Sequence, residues 1–218
     1  MADARHDEQA IGGSVARLVE DILALLAGTY RAADGQEAHA TPGEGAQVQV
    51  WILGSSAGQS ASVAGELGLR FAANYHVSPG TILEAVKAYR AAFRPSAHLT
   101  APHVTVSADV VVAPDDTTAA ELARGYGAWV RSIRTGEGAI KFPTPDEATA
   151  YVWADADRAL VADRVATQFT GSPKTVTEKL DTLQRVTGAD ELHITTITHD
   201  HADRVRSYEL LAQEWYGD

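Results

Sequence analysis

The run Gly54-Ser55-Ser56-Ala57-Gly58-Gln59-Ser60 has the clearest potential for chemistry, because it lies between an apolar segment and a helical one. Its glycines permit unusual φ values and let a ligand approach the main chain, and a helix N-terminus that follows directs N–H groups at an anion. The hydroxyls of Ser55, Ser56 and Ser60 add further donors, so the turn suits a phosphate. It contains no lysine, which separates it from a Walker-type loop, and its glycine spacing departs from the dinucleotide fingerprint. A mononucleotide phosphate fits these residues, although the same types also build an ordinary turn and helix cap.

Other side chains invite the same question. His76, in Asn74-Tyr75-His76-Val77-Ser78-Pro79, follows a second strand at the same end as the glycine turn. A histidine there could serve as an acid-base group toward a ligand, or stand in a loop with no chemical part. His199-Asp200-His201 has two histidines but no third ligand at a convincing spacing. We therefore expect a loop entering a helix capped by Asp200 or Asp203, and no metal. Asp115-Asp116 and Asp155 with Asp157 fall at turns or helix starts, where carboxylates complement the helix dipole, and no catalysis is assigned to them. The irregular stretch from Thr135 to Pro145, near Trp129, Arg131 and Arg134, could form a lid or substrate wall, or a plain surface loop.

Composition narrows the classes of function. The 218 residues and 45% hydrophobic content suit one substantial domain with a real core. Asp and Glu number 29 against 18 Lys and Arg, a formal charge of -11, and no basic stripe offsets it, so nucleic acid is not an expected partner. With no cysteine, disulfides, thiolate nucleophiles and cysteine-ligated metals are excluded. The segment Met1 to Gln9 is polar, and no apolar run reaches the roughly 18 residues that span a bilayer. A cytoplasmic protein without membrane contact is expected.

The elements that must position these residues alternate along the chain. Ile11, Val15, Leu18, Ile22 and Leu25 predict an amphipathic helix ending before Gly28. Strands are expected at Gln47–Leu53, Leu69–Tyr75, Val104–Val112 and Glu191–Ile197. Helices are expected from Ser60 to Leu67, from Pro79 through Phe93, from Thr117 to Arg131 and from Asp146 to Val165. Two more run from Pro173 to a cap at Gly188, and onward to about Trp215. Near-continuous apolar strands alternating with helices predict an α/β fold with a parallel sheet. Four convincing strands are half of what a closed eight-stranded barrel needs.

Several ordered stretches resemble the bacterial luciferase-like monooxygenases, a class of flavin-dependent oxidoreductases. They are Trp51-Ile52-Leu53-Gly54-Ser55-Ser56, Ser60-Ala61, Gly65-Glu66-Leu67-Gly68-Leu69 and Phe71-Ala72-Ala73-Asn74. Ala88-Tyr89-Arg90-Ala91-Ala92-Phe93-Arg94-Pro95-Ser96, Gly171-Ser172-Pro173 and Gly188-Ala189-Asp190-Glu191-Leu192 follow in the same order. The resemblance implies a (β/α)8 barrel of the TIM type that binds FMN, or in some relatives a deazaflavin, and oxidises or monooxygenates a small organic substrate. It implies that Gly54, Ser55, Ser56, Ala57, Gly58, Gln59 and Ser60 hold the cofactor phosphate and that His76 is the candidate catalytic residue. Three residues before Ser60, Ala57-Gly58-Gln59, lengthen the turn beyond shorter family versions.

The family's first half, with further cofactor contacts and often a catalytic histidine, has no counterpart here. Residues 1–218 are therefore expected to form one domain holding the C-terminal strands of the barrel, with an insertion at about 135–165. This incomplete or half barrel would either belong to an enzyme or be a vestigial flavin binder. Open strand edges in it would favour a homo-oligomer, such as a dimer.

Overall fold

The computed structural model describes residues 3–217, with side chains from residue 15, so Ile11 of the expected helical stripe lies outside the described side chains. Five strands form one parallel sheet: β1 (Trp51–Gly54), β2 (Arg70–Ala73), β3 (Val104–Val112), β4 (Phe169–Gly171) and β5 (Glu191–Thr195). β3 is the hub. It pairs β2 through Phe71 opposite Val104, β5 through Ser107 opposite His193, and β4 through Val110 opposite Phe169. Among the described residues, β1 pairs only β2 and β5 only β3, so the sheet is open rather than closed into a barrel.

Helices flank the sheet on both faces. They are α1 (Asp3–Ala27), α2 (Gln59–Glu66), α3 (Ile82–Ala92), α4 (Asp116–Ala123), α5 (Tyr126–Arg134), α6 (Pro145–Ala150), α7 (Asp155–Thr167), α8 (Pro173–Thr187) and α9 (His201–Tyr216). Phe71, Ala73 and alternate residues of β3 from Val104 to Val112 bury themselves against α2, α3, α8 and α9. Tyr89 of α3 is wholly buried; its hydroxyl donates to the Leu69 carbonyl and accepts from the His103 N–H. Arg90 beside it donates to the carbonyls of Thr187 and Gly188, closing the C-terminus of α8. Gly188 there is left-handed, φ 62°, as a helix-ending glycine commonly is.

Several expected boundaries move. The apolar side of α1 that packs inward is Val15, Val19 and Leu23, while Leu18 and Ile22 of the expected stripe stay 58% and 51% exposed. Gln47–Val50 is not strand, since it has no pairing partner among the described residues. The single helix expected over Thr117–Arg131 is broken at Arg124–Gly125, where Phe142 and Pro143 pack so closely that a Cβ on Gly125 would come within 3.0 Å and 3.2 Å of them. The helix expected over Asp146–Val165 is also two, α6 and α7, separated where Trp153 turns inward against Gly127. Thr144 starts α6 with a capping box closed by Glu147. Together α5 to α7 build a satellite core of Tyr126, Val130 and Val161.

Candidate active site

The glycine turn leaves β1 directly and opens α2. A Cβ at Gly54 would sit 2.9 Å from the Phe71 ring and 3.0 Å from Ser60 Cβ, so only glycine lets the turn fold this tightly onto β2. The Gly54 carbonyl accepts from Asn74 N–H, and the Ser55 carbonyl accepts from the Thr81 hydroxyl at 2.5 Å. These bonds tie the turn to the loop after β2. Gly58, which has no side chain to cap with, occupies the N-cap of α2. A Cβ at Gly58 would point into the turn, 3.3 Å from Ser56 Oγ. A helix N-terminus opened by glycine and flanked by serines suits a phosphate monoester.

His76 lies at the same edge. Its Nδ1 is 2.5 Å from Ser107 Oγ, and its Nε2 has no hydrogen-bond partner among the described residues. Burial lowers its pKa below the ordinary histidine value, with Arg164 and His193 acting the same way and Asp109 opposing them. The ring is consequently neutral at neutral pH and keeps a nitrogen lone pair available.

Behind His76 is a buried polar cluster with no counterpart in the sequence-derived candidates. Thr105, Ser107 and Asp109 alternate with the core valines of β3 and so face away from the main core. Asp109, 4% exposed, accepts from the hydroxyls of Tyr126 and Thr195 and from Arg164 Nη2 at 3.1 Å. Arg164 also donates to the Tyr126 hydroxyl, from Nε at 3.1 Å and Nη2 at 2.9 Å. Burial, reinforced by the Asp109 charge, raises the Tyr126 pKa, so its hydroxyl stays protonated and donates. Every polar atom named here has a partner, which a buried charge requires. The period-two polar residues within Val104–Val112 were a visible signal for Asp109; nothing in the sequence pointed to Arg164 or Tyr126.

The remaining candidates make the following contacts. His199 Nδ1 donates to the Phe142 carbonyl at 3.2 Å, while His201 contacts Arg204. Among the described residues no group of three histidines or carboxylates could hold a metal. Asp200 holds the N-cap of α9, but its side chain makes no cap bond, contrary to the capping expected of it. Asp115 caps α4 through Thr118 N–H, and Asp116 accepts from Ser172 N–H and so joins the starts of α4 and α8. Both carboxyls are held below the usual range by those backbone bonds first. Asp157 pairs with Arg131 and Asp163 with Arg134, riveting α7 to α5. Among the described residues, no helix is long and apolar enough to cross a membrane.

Comparison with known proteins places this architecture. Residues 15–191 match the family model for luciferase-like monooxygenases. The chain is 36% identical to YvbT of Bacillus subtilis over 82% of its own length and 53% of that protein's, so it spans about half of this relative. A crystal structure of apo-MsnO8 superimposes with a TM-score of 0.78 at 28% identity, over 94% of this chain and 60% of that one. The oxygenating constituent of 3,6-diketocamphane monooxygenase from Pseudomonas putida, a type II Baeyer-Villiger monooxygenase solved with FMN, gives a TM-score of 0.53 at 25% identity. That match covers 84% of this chain and 52% of that one. With a parallel sheet, a glycine-serine turn at its C-terminal edge and a match over most of its length, the chain belongs to the luciferase-like monooxygenase family.

Proposed function

We propose that this chain binds FMN through the Gly54–Ser60 turn and takes part in flavin-dependent oxidation or monooxygenation of a small organic substrate. The observation that carries the reading is the turn's geometry: a helix N-terminus opened by Gly58, a Gly54 position too tight for any side chain, and three serines, at the strand ends where parallel sheets hold ligands. The phosphate would be held by the main chain of Ser56, Ala57 and Gly58 and by the Ser60 hydroxyl. FMN, when reduced, supplies the electrons for dioxygen chemistry that no side chain can perform. The protein's own contribution is position and polarity. Neutral His76 offers Nε2 as an acceptor for a substrate proton, and Ser107 fixes the ring's orientation.

A second reading is favoured by the open sheet. The outer edges of β1 and β5 have no strand partner among the described residues, and Leu53 on β1 is 60% exposed. Unpaired edges invite pairing, so a homo-oligomer, such as a dimer, that binds flavin without turnover is the alternative. Titrating the chain with FMN, and in parallel with a deazaflavin, separates these readings. A shifted flavin absorbance with oxygen consumption dependent on reduced flavin supports the first. Binding without turnover, with a dimer mass by light scattering, supports the second. No spectral change with either cofactor overturns both.

A further inference from the structure

We propose that a groove between α4, α5, α7 and β4 is a binding site for a small organic carboxylate with an apolar body. The groove encloses about 700 Å³, room for a molecule of drug-like size or smaller, and lies on the outer side of the α5–α7 segment. Its walls are apolar and shallowly contoured. Ala162 and Ala166 of α7 leave space, and Trp153 supplies a broad ring held close to α5, where a Cβ on Gly127 would meet it at 2.9 Å. The floor includes the ring of Tyr126, whose hydroxyl reaches Asp109 in the candidate active site. An occupant would therefore lie against the far side of that cluster.

Charge decides which apolar molecule fits. Three cations, Arg124, Arg158 and Lys179, stand around the groove, and no carboxylate lines it. This is a marked local reversal in a chain with formal charge -11. Elsewhere the arginines of α5 and α7 are matched, Arg131 with Asp157 and Glu137, Arg134 with Asp163, and Arg164 with Asp109. By contrast, none of the three groove cations makes an ion pair with a carboxylate among the described residues. Arg124 donates to the Thr149 hydroxyl, Arg158 lies 5.6 Å over the Trp153 ring, and Lys179 reaches the Thr170 carbonyl at 3.4 Å. Asp116, which feels the Lys179 charge, is already occupied by Ser172 N–H and the Thr175 hydroxyl. A carboxylate seated here gains cationic partners at the rim while its hydrocarbon portion covers the tryptophan and alanines.

The test uses the whole chain without flavin and three probes that share one body: 4-phenylbutanoate, 4-phenylbutanol and 4-phenylbutylamine. Binding is read by calorimetry and tryptophan fluorescence. The carboxylate is expected to bind about tenfold more tightly than the alcohol, and the amine most weakly. The double variant Arg158→Gln with Lys179→Gln should erase the preference for carboxylate while leaving the alcohol's affinity unchanged. Ala166→Trp, at an exposed helical position, should fill the groove and abolish binding of all three; Ala162→Leu serves if that variant misfolds. Equal affinity for the three probes, a preference that survives the double variant, or no binding at millimolar concentration would each overturn the proposal. Because no flavin is present, failure of FMN to bind leaves these outcomes untouched.

Discussion

β3 has two faces that are buried by different means. Val104, Val106, Ala108, Val110 and Val112 enter the main apolar core, while Thr105, Ser107 and Asp109 turn the other way, and all eight are shielded from solvent. On the first face burial is its own reward, since apolar area leaves water and no partner geometry has to be met. On the second, each group needs a specific donor or acceptor, and the structure supplies them from β5, α5 and α7. The apolar face should therefore respond to substitution in proportion to volume removed. The polar face should respond according to whether a partner is left stranded.

The largest effect is expected on the apolar face. Phe71→Ala removes a wholly buried ring stacked 5.2 Å from Tyr89 and should cost about 3–5 kcal/mol in urea unfolding. On the polar face, Arg164→Met alone should cost about 3 kcal/mol by leaving the Asp109 charge unpaired, whereas Arg164→Met with Asp109→Leu should recover most of that loss. A double variant as unstable as the single one would erase the distinction between the faces. Gly54→Ala, which forces the turn away from Phe71 and Ser60, should cost about 1–3 kcal/mol and weaken FMN binding in the same absorbance titration.

The smallest effect concerns pH. His76 has a folded-state pKa below the ordinary value of 6.5, so the unfolded chain binds more protons than the folded one as pH falls through that value. Its contribution to stability is present at neutral pH and is lost on acidification below about 6.5, where the unfolded imidazole gains its proton. Stability measured from pH 7.5 to 5.5 should thus decline less steeply in His76→Asn than in the parent chain. Parallel curves would place the ring outside the buried cluster.

Much of the scaffold was legible because its signals are local. The Gly54–Ser60 turn, the Ser172-Pro173 helix start and the Gly188 stop rest on backbone requirements that residue type reveals. The stretches that resemble the family are largely joints: Tyr89 and Arg90 hold carbonyls of distant segments, and Asp190 accepts from Val104 N–H. What escaped was set by tertiary contact. β4 has three residues, too few for periodicity to register, and exists because β3 extends past its other partners. The inward side of α1 was misassigned because Leu18 and Ile22 are as apolar as Val15 and Val19, and only packing against Val63 and Leu69 chooses between them. The Asp109 cluster gathers residues from 109 to 195, and no spacing rule connects them.

The segment from α5 to α7 has its own small core of Tyr126, Val130 and Val161 and reaches the inner sheet through the Asp109 cluster. A piece built in this way can be lengthened, shortened or recoloured with different surface chemistry while the strands beneath keep their sequence, provided a cation and a hydroxyl still meet the carboxylate. The chemistry of the cover is thus separable from the frame that carries it, as is usual where function sits on segments laid over a rigid scaffold.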